Sequence, residues 1–230
     1  MVSRRSYGSY NDGCASAHAL DLVGDRWTLI VVRELLLGPK RFSDLERDII
    51  GIGPAVLTQR LQDLTARGIA ERRRLPGPGR ADAYELTAWG YQLEAVNTAL
   101  SAWAVGSPGL PRDADMSPDT LVLAMRAHAR PLPGLTHEWR VSLNLSDSRR
   151  ADAEPVEYLA RVAEHGAEVV KSFSPQQVAA TVAATTREWK SCVIGGVALE
   201  DVPGLHVEGS VDAVHRLIDA TSLAGPSLQA

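Results

Sequence analysis

A chain of 230 residues, 45% hydrophobic and 23% charged, is long enough for two small domains with separate cores and ordinary in composition for a globular protein. No apolar run approaches the ~20 residues that cross a bilayer, the N-terminus has no apolar signal core, and two cysteines exclude a disulfide framework; the cytoplasm is the expected compartment. The net charge of −4 divides unevenly: residues 26–80 hold eleven Arg and Lys against six Asp and Glu, a balance of +5, whereas residues 111–230 hold eleven against sixteen, a balance of −5. One half suits phosphate and the other does not.

Residues 1–13, polar and rich in Gly, Ser and Tyr with Arg4 and Arg5, read as a flexible arm, either within reach of DNA or simply a loose terminus. Residues 14–23 read as a short helix that Gly24 ends. Asp25 is the expected N-cap of a helix over 26–37. Trp27, Ile30, Val31 and Leu35 lie along one side of it and Leu29, Val32 and Leu36 along another, so it should pack on two sides. After Gly38-Pro39, Ser43 with Glu46 three positions on has capping-box spacing, and Phe42, Leu45 and Ile49 should point inward. Arg41 and Ser43, at that helix start, are placed for a backbone phosphate.

Following the turn Gly51-Ile52-Gly53, a helix over 54–67 opens on Pro54 and stops at Gly68. Leu57, Leu61 and Leu64 fall at i, i+4 and i+7, turning Ala55, Gln59, Gln62 and Asp63 outward. Thr58, Gln59 and Gln62, flanked by Arg60, are the side chains a helix needs to bond base edges in a major groove. Next come IAERRRL over 69–75, a Pro-Gly-Pro-Gly tip and AYEL over 83–86, the pattern of a hairpin. Its Arg72, Arg73, Arg74 and Arg80 make it a wing that grips phosphate. Thr87 opens a further helix in which Trp89, Leu93, Val96, Leu100 and Trp103 follow 4-3-4-3 spacing. That stripe either packs on its own domain or pairs with a second chain.

Cys14, then GDRW at 24–27, GPKRFSDL at 38–45, LTQRLQDLTARGI at 57–69 and YELTAWG at 84–90 resemble, in this order, the HxlR-type winged helix-turn-helix transcription regulators over residues 10–105. The resemblance implies a prokaryotic repressor or activator acting as a homodimer on double-stranded DNA, with Trp27 and the Trp89–Trp103 stripe in the dimer interface. It also makes Cys14 a candidate redox thiol, for which a lowered pKa is required; a buried structural thiol is the alternative.

The Pro-, Gly- and Asp-rich stretch 107–118 reads as a linker between a winged-helix domain over 14–106 and a second domain over 119–222, with 223–230 as a tail. In the second domain a helix over 119–129 carries Leu121, Met125 and His128 on one side. Residues 137–145 alternate strictly, with Trp139, Val141, Leu143 and Leu145 on one face. Residues 155–163 and 167–173 read as two more strands about a turn at 164–166. SPQQ at 174–177 has the signals of a helix start, with the helix continuing through Val178 and Val182. A short helix over 187–194, a strand over 205–208 and a helix capped by Ser210 complete it. The fold class is therefore α+β, a winged helix-turn-helix domain followed by an α/β sandwich with a mainly antiparallel sheet. The order of elements and HVEGSVDAV at 206–214 resemble the sterol carrier protein type 2-like fold, which implies a pocket for a hydrophobic small-molecule effector. Trp139, Leu143, Phe173 and Trp189 would line that pocket or else fill a core.

Other chemistry is not signalled. The six histidines, His18, His128, His137, His165, His206 and His215, show no ligand spacing, so no metal is expected. Without a GxSxG elbow, a Walker loop or an HExxH helix, neither a cofactor nor enzymatic activity is expected. Two alternatives stay open: a thiol-based redox regulator through Cys14, and an enzyme or lipid carrier whose winged helix only dimerises it.

Overall fold

The computed structural model describes residues 9–74, 82–172, 174 and 176–223. Arg80 of the hairpin tip, Phe173, the first eight residues of the expected arm and the tail beyond 223 lie outside them. The chain divides between Asn97 and Thr98 into two compact units.

The first unit is built from α1 (Ala15–Val23), α2 (Thr28–Leu35), β1 (Lys40–Arg41), α3 (Phe42–Asp48), α4 (Pro54–Ala66), β2 (Ala70–Arg74), β3 (Asp82–Leu86) and α5 (Ala88–Tyr91), and α6 (Leu93–Ala104) spans the division. The small sheet is antiparallel in the order β1-β3-β2. Its core gathers Val31, Val32 and Leu35 of α2, Leu45 of α3 and Leu57, Leu61 and Leu64 of α4, all fully buried. Gly68 stops α4 at φ +69° in the left-handed region, where a side chain would be strained.

Two expected helix starts move, and a third helix keeps its start but is interrupted. Asp25 does not cap the helix predicted over 26–37: the helix begins at Thr28, with Trp27 at φ +77° before it, because the Thr28 amide bonds the Asp25 carbonyl and the Asp25 carboxylate is held by Arg60. Ser43 does not cap its helix either. Arg41 is still paired with Ala83 in the sheet, so the chain turns straight into α3 at Phe42, and Asp44 rather than Glu46 reaches back to the Arg41 amide at 3.3 Å. The helix opened by Thr87 is broken at Gln92 into α5 and α6.

A buried ionic cluster underlies this unit. Glu34 has no exposed surface, and Lys40 Nζ donates to Glu34 Oε2 at 2.8 Å and to Asp48 Oδ2 at 2.9 Å, tying α2, β1 and α3 together. Burial pushes the Glu34 pKa up, but Lys40 and Arg33 outweigh it and hold the carboxyl below its ordinary value; Asp48 is lowered in the same way by Lys40 and Arg47 against its own burial.

The second unit contains α7 (Pro118–Ala127), β4 (Trp139–Ser146), β5 (Val156–Ala163), β6 (Gly166–Lys171), β7 (Ala180–Thr185), α8 (Thr186–Val193), β8 (His206–Gly209) and α9 (Val211–Thr221). The five strands run β6-β5-β4-β7-β8, antiparallel except for the parallel β4–β7 pair. Alternate residues such as Val141, Leu143, Ala160, Val162 and Val182 form one buried face, against which α7, α8 and α9 pack. Tyr158 Oη and Lys171 Nζ reach through that face to Asp119 at 2.6 and 2.8 Å. Ser117 caps α7, and Arg112, Ala114 and Asp115 before it bond Lys190 and Arg187, so residues 112–117 are fastened to the second unit.

The helix expected from Ser174 through Val182 is absent: Ala180–Thr185 is the strand between β4 and β8. Val178 and Val182 are four apart, a spacing that serves two strand repeats as well as one helical turn, and the β-branched Thr181, Val182 and Thr185 favour the strand. A capping box further along the chain, Thr185 with Glu188, opens α8.

Replacing Glu34 with Ala leaves a buried ammonium short of a partner and should cost about 3–5 kcal/mol in chemical denaturation of the full chain. Because both carboxyls are lowered on folding, their stabilisation is complete above the unfolded pKa of ~4 and drains away as pH falls through the folded values. Acid titration of Glu34→Gln should show a shallower loss than the parent chain.

Candidate nucleic-acid interface

The predicted reading helix is present with its two sides sharply different. Pro54 sits in the first turn of α4 after Gly53, and Leu57, Leu61 and Leu64 are fully buried. Ala55, Val56, Thr58, Gln59 and Gln62 are exposed. Thr58 Oγ1 donates to the Pro54 carbonyl at 2.8 Å, which leaves its oxygen as an acceptor. Gln59 Nε2 donates to Asp63 Oδ1 at 2.8 Å.

Arg60 is placed differently from its neighbours. Its position on the helix lies beside the leucine row, only 18% of its side chain is exposed, and its guanidinium bonds Asp25 Oδ2 at 2.5 Å and reaches Asp63 Oδ2 at 3.5 Å. Arg67 Nη1 donates to the Leu22 carbonyl at 2.5 Å. These two arginines fasten α4 to the end of α1 and the turn after it. Asp25 and Leu22 lie 35 and 45 residues from their partners, and no local pattern signals either contact.

The hairpin stands beside α4. β2 is the edge of its sheet, so Arg72, Arg73 and Arg74 are exposed on both faces of the strand. Arg72 donates to Tyr84 Oη at 3.1 Å with its guanidinium over the ring, and Arg73 donates to Glu85 Oε2 at 2.6 Å. Arg74 is more open than Arg73, 71% against 54% exposed, and lies 3.8 Å from Asp82. Arg41 and Ser43, both exposed, stand at the start of α3.

The Trp89–Trp103 stripe is largely in solvent. Trp89, Val96 and Leu100 are 50, 42 and 43% exposed and Trp103 81%, and α6 has no buried residue. An apolar groove of about 260 Å³ runs along it, lined by Leu22, Val23, Ile69, Trp89, Leu93 and Val96. Trp27 stands away from this groove's lining, half-buried beneath the Arg26 guanidinium and beside Gly51. Cys14 is exposed at the N-cap of α1, where the backbone amides of Ala17 and Ser16 lower its thiol pKa.

In the second unit Leu143 and Trp189 are fully buried, Trp189 donating through Nε1 to Met125 Sδ at 3.2 Å. Trp139 is half-buried, on the same face of β4 as Leu143, against the His137 ring at 4.4 Å. Among the described residues there is no cluster of three or more His, Cys, Asp or Glu suited to a metal, and no helix long and apolar enough to cross a membrane.

Residues 22–107 match the HxlR-like helix-turn-helix family. The HTH-type transcriptional regulator YodB of Bacillus subtilis is 37% identical over 86 residues, which are 37% of this chain and 77% of YodB. The uncharacterized HTH-type transcriptional regulator Rv3095 of Mycobacterium tuberculosis is 37% identical over 101 residues, 44% of this chain and 62% of that protein. Among solved structures, the reduced form of YodB from B. subtilis is 34% identical, covering 42% of this chain and 95% of that one with a TM-score of 0.38. Because the family match begins in α1 and carries α2, α4 and the arginine-bearing hairpin, and because so large a share of YodB is matched at this identity, the chain belongs to the HxlR-like helix-turn-helix family.

Proposed function

We propose that the protein is a homodimeric one-component transcription regulator that places α4 in successive major grooves of a pseudo-palindromic operator. The observation that carries this reading is the polarity of α4, three leucines fully buried on one side and an uncharged, hydrogen-bonding row exposed on the other, beside an open strand bearing three arginines. Thr58, Gln59 and Gln62 read bases. Arg41, Ser43, Arg73, Arg74 and Arg80 hold phosphate, whereas Arg60, tied to Asp25, sets the pose of the helix. The exposed apolar stripe of α5 and α6 and the groove beside it support pairing of two chains there.

The second unit is proposed to modulate this activity by taking a hydrophobic small molecule in a sterol carrier protein-like fold, shifting the dimer between geometries of different DNA affinity. The five-stranded sheet with its closing β8–α9 element supports this reading. Leu143 and Trp189 have no exposed surface and fit a filled core rather than the lining of such a pocket.

A second reading is favoured by Cys14, an exposed thiol of lowered pKa at a helix N-terminus. It would make the protein a thiol-based redox regulator. Cys14→Ser should abolish an oxidant response of DNA binding in that case and leave it untouched in a ligand-gated regulator.

Fluorescence anisotropy against the chain's own upstream DNA, titrated at several salt concentrations, tests the main reading. Arg74→Ala should weaken binding to all sequences alike and reduce the slope of log K against log salt by about 1. Gln59→Ala should instead cost about 1–3 kcal/mol at one base position. If the two behave alike, groove and wing are misassigned; if no DNA binding is sensitive to salt, the winged helix is only a dimerisation module. Leu100→Asp should convert a dimer into a monomer by light scattering and lower operator affinity with it.

A further inference from the structure

The first turn of α4 is unusual for a helix start. Its residues, Pro54, Ala55, Val56 and Leu57, include no acidic side chain, although a carboxylate there would be favoured by the helix dipole. At the third helical position, a place where Glu or Gln commonly closes a cap, stands a valine that is 41% exposed. A β-branched apolar side chain in solvent on a helix gains neither propensity nor burial within its own chain. It gains both contact and dehydration if a nucleic-acid base closes over it.

Gln59 follows Val56 by three residues and Asp63 follows Gln59 by four, so the three form one contiguous row on the helix. A carboxylate only accepts, so the end of the Gln59 amide that meets Asp63 must be its nitrogen. One N–H is thereby committed. The second N–H and the carbonyl oxygen remain, a donor and an acceptor side by side, which matches N7 and the N6 amino group of adenine in the major groove. Val56, one helical turn nearer the N-terminus, meets the base step beside it, where the apolar group that the major groove offers is the thymine 5-methyl.

We propose that Val56 and Gln59 together read an A·T-bearing step in each half-site, Val56 by packing on a thymine methyl and Gln59 by pairing with an adenine edge, with Asp63 as the positioning residue that fixes the amide of Gln59. This rests on the insertion of α4 into the major groove proposed above. It names the bases that insertion selects.

The test uses the full chain and double-stranded DNA obtained by in vitro selection from a random library, with affinity measured at one fixed salt concentration. Replacing each thymine in turn by uracil removes only the methyl, worth about 0.8 kcal/mol or about fourfold in affinity when buried. One thymine per half-site should show that loss in the parent chain and none in Val56→Ala, whose surface position leaves the fold intact. Replacing adenine by 7-deazaadenine should weaken the parent chain at a neighbouring position. Gln59→Ala and Asp63→Ala should both lose that second sensitivity while retaining the response to uracil. Parent binding within twofold at every uracil-substituted site, or a uracil response that survives in Val56→Ala, overturns the valine contact and leaves groove insertion standing. An Asp63→Ala chain as sensitive to 7-deazaadenine as its parent overturns the positioning role. Selection that yields no salt-sensitive binding to any DNA overturns groove insertion itself, and this inference with it.

Discussion

Burial of the leucine row on α4 is the constraint on which the first unit depends. A helix that is to offer one side to another molecule must be held entirely through the other, and Leu57, Leu61 and Leu64 supply that hold as fully enclosed side chains against α2 and its neighbours. Burial alone fixes which side is presented but resists sliding and tilting less well, since apolar contacts have little direction. Direction comes from Arg60 on Asp25 and Arg67 on the Leu22 carbonyl, two charge-assisted bonds that fasten the helix at different heights. The Glu34–Lys40–Asp48 cluster performs the same task for α2, β1 and α3. The exposed row on α4 is thus presented by a frame locked on three sides.

Much of this frame was legible because it is periodic and local. Leucines at i, i+4 and i+7 after a proline and before a glycine leave little room for anything but a helix with one dry side, and Ala70–Arg74 pairs with Asp82–Leu86 as two short stretches around a Gly/Pro-rich tip suggest. What was not legible is what depends on distant partners. Asp25 reads as an N-cap from its neighbours, yet its carboxylate is committed to Arg60, and the helix starts three residues later. Arg60 reads as a groove residue by type, although its spacing from Leu57 and Leu64 sets it beside the buried row, and its ion pairs with Asp25 and Asp63 lie with distant or neighbouring carboxylates rather than in the exposed row. Glu34 and Lys40 carry no sign in the sequence that they are buried, because their burial exists only once three elements meet.

In the second unit the same division holds between local and distant signals. The strict alternation of β4 identified its buried face correctly, and Ser210 capped α9 as its spacing indicated. The misplacement of Ala180–Thr185 came from a capping pattern at 174–177 that nothing downstream sustains, whereas the true cap, Thr185 with Glu188, follows the strand. A cap signal is weak when the residues after it prefer a pleat. The neighbouring strands decide the matter, and they lie far off in sequence.

That separation also sets a timetable. β4 pairs with β7 in parallel, so Leu143 meets Val182 across an intervening stretch of chain that includes the β5–β6 hairpin. Closing so long a loop before any bond repays it makes non-local pairing slow, and sheets built this way fold later than helices joined by short turns. The first unit has long-range contacts of its own, Lys40 opposite Tyr84 and Arg67 on the Leu22 carbonyl, but it leaves the ribosome first. A newly made chain therefore acquires its helix-turn-helix before its second sheet has closed.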